Sequence, residues 1–240
     1  MDKQGAILTN SVNHQFSRWA NDYDRYNIIQ QIVSKALIRE LNFQPKRILE
    51  LGCGSGQVFK NIKFNFDYYK AIDFSYEMCN IHPKNKNLEI YCLDFDSDAF
   101  YNNIKNDQKY DIVLSSSALQ WSKDLKKIIK ILSTKTDYIS MVLFTSNTFK
   151  TIFELSNSIS PILTVKEIKD SFDQYFDISY EIVNYKVQFS NKKELFNYIK
   201  KSGVSGENKL SFKNAKNLYK NYKLDYLEFE VIFIKGNTKL

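Results

Sequence analysis

The 240-residue chain has little glycine and proline, with 7 and 3 residues respectively. That excludes a fibrous or low-complexity polymer. Cysteine is scarce and odd in number, and Cys53, Cys79 and Cys92 form no C-x-x-C pair. They read as reduced core or loop thiols and not as a disulfide framework or a metal site. The only histidines are His14 and His82, too few and too far apart for a metal cluster. No apolar run reaches membrane-spanning length, and residues 1–16 hold no apolar signal core. A cytoplasmic protein that does not enter the membrane is the expectation. Arginine is rare: Arg18, Arg25, Arg39 and Arg47 are the whole set. Proteins that read nucleic acid draw on arginine for base edges, and Lys126-Lys127 and Lys200-Lys201 are too small to form a basic tract. No nucleic-acid partner is expected.

Hydrophobic residues make up 43% of the chain, enough for one α/β domain with a full core. The net charge is +7, from 34 Lys and Arg against 27 Asp and Glu. Lys, Asn, Ile, Phe and Tyr are all frequent, the mark of an AT-biased coding sequence, so most of that charge is compositional. It would still draw an acidic partner.

Three of the seven glycines sit in one short loop, Gly52, Gly54 and Gly56. The run Ile48-Leu49-Glu50-Leu51 before them is a buried strand, and a helix follows. Glycine lets backbone approach a ligand where a Cβ would collide. The opening helix presents unpaired N–H groups and partial positive charge. Asp73, ending the next strand, suits a pair of ribose hydroxyls. An adenosine-containing cofactor is predicted. The spacing is G-x-G-x-G, not the dinucleotide G-x-G-x-x-G, and Glu50 beside the loop would repel a pyrophosphate. A cofactor carrying an ammonium and a sulfonium would meet no such repulsion.

The run E-L-G-C-G-S-G therefore resembles the first motif of the class I S-adenosylmethionine (SAM) methyltransferases. The implied fold is α/β: a Rossmann-like, mostly parallel sheet with helices on both faces and late strands closing one edge. The chain then reads as one domain over 1–240, with an N-terminal helical lid at 1–44. A cofactor-binding core follows at 45–145, then substrate-side helices and closing strands at 146–240.

Element signals agree with that class. A helical period covers residues 12–42, with a shorter segment over 12–20 leading into it. Strands are predicted at 46–51, 69–73, 88–93, 110–114 and 137–144, and helices at 57–64, 76–80 and around Leu125–Leu132. Strands alternating with helices make a parallel sheet. Further helices are predicted at 151–160, 166–175, 191–201 and 214–222. Two late strands are predicted at 178–189 and 227–233.

For the cofactor, Glu50 would face the methionine ammonium, and Gly52, Gly54 and Gly56 would admit the backbone. Asp73 would take the ribose, Met78 would pack on adenine, and Asp94 would accept from the adenine amine with Phe95 beside the ring. Ser115 and Ser116 end the fourth strand, where such folds bind ligands.

The loop Ala118-Leu119-Gln120-Trp121-Ser122-Lys123-Asp124-Leu125 is similar to one shared by two carboxylate-esterifying families. These are the malonyl-[acyl-carrier-protein] O-methyltransferases of biotin synthesis and the trans-aconitate methyltransferases. Phe16-Ser17-Arg18-Trp19-Ala20, Tyr23-Asp24 and Gln30 resemble the N-terminal pattern of the biotin family, with Trp19 where a small residue is usual. Phe144-Thr145-Ser146 and the segment from Lys193 to Gly203 resemble it too. That likeness implies methyl transfer to malonyl on an acidic acyl carrier protein, with Tyr23, Gln120, Trp121, Arg18 and Lys123 around the substrate carboxylate. A trans-aconitate type of small-molecule methyltransferase and a non-catalytic SAM-binding partner protein remain as alternatives.

Overall fold

A computed structural model describes residues 27–201 and 212–239. The segment 12–20, Arg18 and Tyr23 lie outside the described residues. One sheet of seven strands runs in the order β3-β2-β1-β4-β5-β7-β6. Its strands are β1 (Arg47–Leu51), β2 (Tyr68–Asp73), β3 (Leu88–Cys92), β4 (Ile112–Ser116), β5 (Tyr138–Phe144), β6 (Phe176–Gln188) and β7 (Tyr226–Thr238). β1 to β5 are parallel, and β7 lies antiparallel between β5 and β6.

The helices are α1 (Ile28–Arg39), α2 (Gln57–Asn61), α3 (Tyr76–Ile81), α4 (Asp98–Lys105), α5 (Leu125–Ser133), α6 (Lys150–Ser156), α7 (Val165–Phe172), α8 (Lys192–Lys201) and α9 (Phe212–Asn221). The strands alternate their side chains between two buried layers. Leu49, Leu51, Ile72, Val113 and Met141 face a core shared with Phe100 and Ile104 of α4, Ile128 of α5 and Phe172 of α7. Ile48, Tyr69, Ala71, Ile112 and Leu114 face the opposite side, with Leu37 of α1 and Val58 of α2. A third cluster joins Ile29 and Val33 of α1 to Phe144, Phe229 and Val231 and to Leu195 of α8.

Several elements differ from expectation, each for a local reason. α2 ends at Asn61 instead of 64, because Ile62 turns to an extended conformation. β4 starts at Ile112, and Tyr110 makes only an isolated bridge to Thr136. α6 stops at Ser156, where Asn157 takes a left-handed conformation with φ 50° and closes the helix. α4 was not anticipated. It shows only Phe100 and Ile104 as a buried stripe, but Ser97 caps it by accepting from Phe100 N. β6 and β7 are each 13 residues long, beyond the expected 178–189 and 227–233.

The strand order reverses between β1 and β4, since β2 and β3 lie to one side and β4 and β5 to the other. In open α/β sheets the crevice beyond such a switch point is where ligands bind. The loops after β1 and β4 flank it.

Candidate active site

The glycine loop is pinned to the end of β2. Gly52 N and Cys53 N both donate to Ile72 O, at 2.7 and 3.1 Å. Gly52 takes φ 72° and Gly54 φ 49°. A Cβ on Gly52 would lie 2.0 Å from the Ala118 Cβ, so the loops after β1 and β4 touch here and only glycine fits. A Cβ on Gly54 would meet nothing within 4 Å. The backbone there borders open space, as a cradle for a ligand requires.

Asp73 links loop and strand. Its Oδ2 accepts from Gly54 N at 2.8 Å and its Oδ1 from Ser75 N at 2.9 Å. Burial pushes its carboxyl up to about 6, against the N–H groups of Ser75 and Gly54 that favour the charged form. Asp73 lines the cavity at the switch point with Phe74, Met78 and Phe95. The other wall is Ser116, Ser117, Ala118 and Trp121, facing Gly52 and Gly54. Met78 and Phe95 are buried and supply an apolar flank.

The loop after β4 is tightly built. Ser117 has φ 59°, uncommon for a residue other than glycine. Leu119–Trp121 form one turn of 3-10 helix. Gln120 is buried and its Nε2 donates to Ser117 O at 2.7 Å. The buried oxygens Ser116 Oγ, Ser117 Oγ and Gln120 Oε1 have no hydrogen-bond partner among the described residues. Buried polar atoms are normally satisfied, so the hydroxyls of Ser116 and Ser117 on the cavity wall suit a ligand's donor groups, whereas Gln120 does not line that cavity.

Not every expected residue reaches the cavity wall. Ser115 is fully buried and its Oγ donates to Leu51 O at 2.9 Å, stitching β4 to β1. Asp94 accepts from Asp96 N at 2.9 Å and from Ser97 Oγ at 2.6 Å, closing the turn into α4. Gly56 has φ 81° at the start of α2, where a Cβ would strike Pro83 and His82. Lys123 is exposed, and its backbone N–H donates to Asp96. Glu50 lies beneath the loop, 1% exposed, with its Oε2 accepting from the Tyr69 hydroxyl at 2.5 Å. Burial pushes the Glu50 carboxyl up to about 8, with the Asp73 charge adding to the shift and the Tyr69 hydrogen bond opposing it.

The sequence reading missed Phe74, Ser117, Ala118 and Tyr69. Ala118 carried one signal, a small residue opposite the glycine loop. Ser117 carried none, because a positive φ at serine leaves no mark in the sequence. Among the described residues no cluster of three His, Cys, Asp or Glu side chains could hold a metal ion, and no helix is long and apolar enough to cross a membrane.

The residues present fit SAM. The backbone at Gly54 borders open space, Asp73 is a buried acceptor, Met78 and Phe95 form an apolar flank, and Ser116 and Ser117 add unpartnered hydroxyls.

A family model described as "Methyltransferase domain" matches residues 20–154. The malonyl-[acyl-carrier protein] O-methyltransferase of Bacillus anthracis is 26% identical over 233 residues, covering 86% of this chain and 84% of that one. A protein of the same name from Ilyobacter polytropus is 30% identical over 159 residues, covering 63% and 57%. Among solved structures, the YcgJ protein of Bacillus subtilis has a TM-score of 0.63 at 14% identity, covering 87% of this chain and 99% of that one. A putative methyltransferase of Bacillus halodurans C-125 has a TM-score of 0.61 at 11% identity, covering 85% and 97%. At these identities the two structures speak to the fold.

Proposed function

The chain belongs to the methyltransferase-domain family and uses SAM, and from that premise we propose that its acceptor is the free carboxylate of malonyl on an acyl carrier protein. One observation carries this reading. The likeness to the Bacillus anthracis malonyl-[acyl-carrier protein] O-methyltransferase extends over 86% of the chain, well past the cofactor core. The setting we propose is the cytoplasm, and the unit one domain.

Bound SAM supplies an electrophilic methyl group on a sulfonium. The protein's part is positioning and exclusion of water. A carboxylate is already ionised near pH 7, so the acceptor needs no general base. Among the described residues the cavity wall holds no histidine or cysteine side chain.

In this reading Asp73 accepts from the ribose hydroxyls, and Met78 and Phe95 flank the adenine. Ser116 and Ser117 offer their unpartnered oxygens, Gln120 braces that loop by donating to Ser117 O, and the Trp121 ring walls the reacting atoms from solvent. Gly52 and Gly54 bring backbone to the methionine portion. Glu50, Gly56, Asp94 and Ser115 hold the loops and strand ends that shape the cradle. Lys123, Arg18 and Tyr23 are proposed to orient the malonyl carboxylate.

The test is incubation with SAM and malonyl-acyl carrier protein, read as a mass gain of one methyl on the carrier. Gain on trans-aconitate alone would move the assignment to a small-molecule carboxylate methyltransferase. SAM binding with transfer to neither would make the chain a non-catalytic binder.

A further inference from the structure

Among the described residues Glu50 is a buried acid at the cofactor end that does not line the cavity, unlike Asp73, and its surroundings are built for it. β1 and β2 pair in parallel with Ile48 opposite Tyr69 and Glu50 opposite Ala71, so Glu50 and Tyr69 share a sheet face. Tyr69 is fully buried, with its ring held by Phe59 at 5.4 Å and Phe66 at 5.5 Å. That packing aims the phenol along the strand at Glu50 Oε2. Among the described residues no cation pairs with Glu50. The titratable groups facing it are Tyr69 from β2, Cys53 from the loop above and Asp73 from the end of β2. Asp73 has two backbone N–H donors, whereas Glu50 has the phenol.

We propose that Tyr69 is a positioning residue of the cofactor site: its phenol holds the Glu50 carboxyl beneath the glycine loop, and the pair releases one proton when a cationic ligand settles on that loop. The inference rests on SAM being the ligand.

The physics follows from countercharge. A carboxylate buried without a cation keeps its proton. Without a countercharge, burial pushes the Glu50 carboxyl up to about 8, so it holds its proton at neutral pH. SAM brings an ammonium and a sulfonium, and positive charge nearby favours the ionised carboxylate. The proton then leaves Glu50 for the buffer. Affinity rises with pH wherever binding releases a proton, by at most tenfold per pH unit for one proton. The gain ends near pH 8, where Glu50 is ionised before the ligand arrives. The Tyr69 hydroxyl stabilises the ionised form by donating to it, so its loss makes the proton harder to release.

The experiment is calorimetric titration of the whole protein with SAM at pH 7, in two buffers of different ionisation enthalpy. Wild type, Tyr69→Phe and Glu50→Gln are compared. The ligand's own amine titrates alike in all three, so differences belong to the protein. Wild type should release more protons than Glu50→Gln. Tyr69→Phe should bind about tenfold more weakly at pH 7, the worth of a hydrogen bond to a charged group, with its affinity curve displaced to higher pH. Equal proton counts in wild type and Glu50→Gln would overturn the proposal, as would a Tyr69→Phe curve that overlays wild type. Should Tyr69→Phe fail to fold, the comparison with Glu50→Gln decides alone. Absence of SAM binding by wild type at every pH would instead sink the cofactor reading.

Discussion

A single methyl group separates two roles within the glycine loop. Gly52→Ala would drive a Cβ to 2.0 Å from Ala118 at a φ of 72°. Overpacking alone costs about 1–3 kcal/mol, and the backbone strain adds to it. The melting temperature should fall clearly, read by thermal scanning. Gly54→Ala meets no atom within 4 Å. It should fold with a smaller loss, yet SAM binding should fail in calorimetry because the new Cβ fills the cradle. If both variants lost only stability, the cradle would lie elsewhere.

Glu50 gives a second residue-scale prediction. Its folded carboxyl sits near 8 against an ordinary 4.5. Between those values the folded chain holds a proton that the unfolded chain has lost, so stability falls as pH rises through that window. Asp73, near 6 against 3.8, adds the same sign over a narrower span. The ligand-free protein should therefore melt lower at pH 8 than at pH 5. Glu50→Gln should flatten the decline, and an unchanged slope in that variant would refute the assignment. Residues were legible in proportion to how local their signal was. Gly52, Gly54, Asp73, Met78, Phe95, Ser116 and Trp121 all line one cavity, as their places at strand ends suggested. Tyr69 looked like any buried strand residue, because its partner Glu50 is 19 residues away on another strand.

Elements are fastened by a buried charge that no periodicity reveals. Lys70 of β2 is 1% exposed and its Nζ meets Asp107 Oδ2 at 2.6 Å. The Tyr110 hydroxyl donates to the same oxygen at 2.6 Å, and the Tyr91 ring lies 4.5 Å from the ammonium. The turn after α4 is thereby tied to β2 and β3. Asp107→Ala leaves an uncompensated buried ammonium and should cost about 3–5 kcal/mol in urea unfolding. Lys70→Met combined with Asp107→Leu should recover most of that loss. A double variant no more stable than Asp107→Ala would show that packing, not charge, holds the turn. The parallel strands were readable because each is a short apolar run ending in a turn. α4 was not, since its stripe is two residues long and its start depends on the Ser97 cap.

For the whole molecule, the surplus of +7 acts at a distance. A net-positive protein meets an acidic carrier faster at low salt, and salt screens the attraction beyond about 8 Å at physiological ionic strength. Turnover on malonyl-carrier protein should drop as salt is raised, while SAM affinity, set in a buried site, changes less. A rate indifferent to ionic strength would remove charge from the account of partner choice.

β7 occupies an interior place in the sheet, yet it is synthesised after every other strand described. Until it leaves the ribosome, β5 presents an unpaired edge that includes buried Val142 and Phe144, and β6 has nothing to pair with. Such an edge invites pairing with other chains. A chain cut after Tyr222 should accumulate as insoluble material, and a soluble, SAM-binding product of that length would contradict this. The five parallel strands that frame the cavity, complete by Phe144, must therefore wait about ninety residues of translation before the strand that shields their edge is finished.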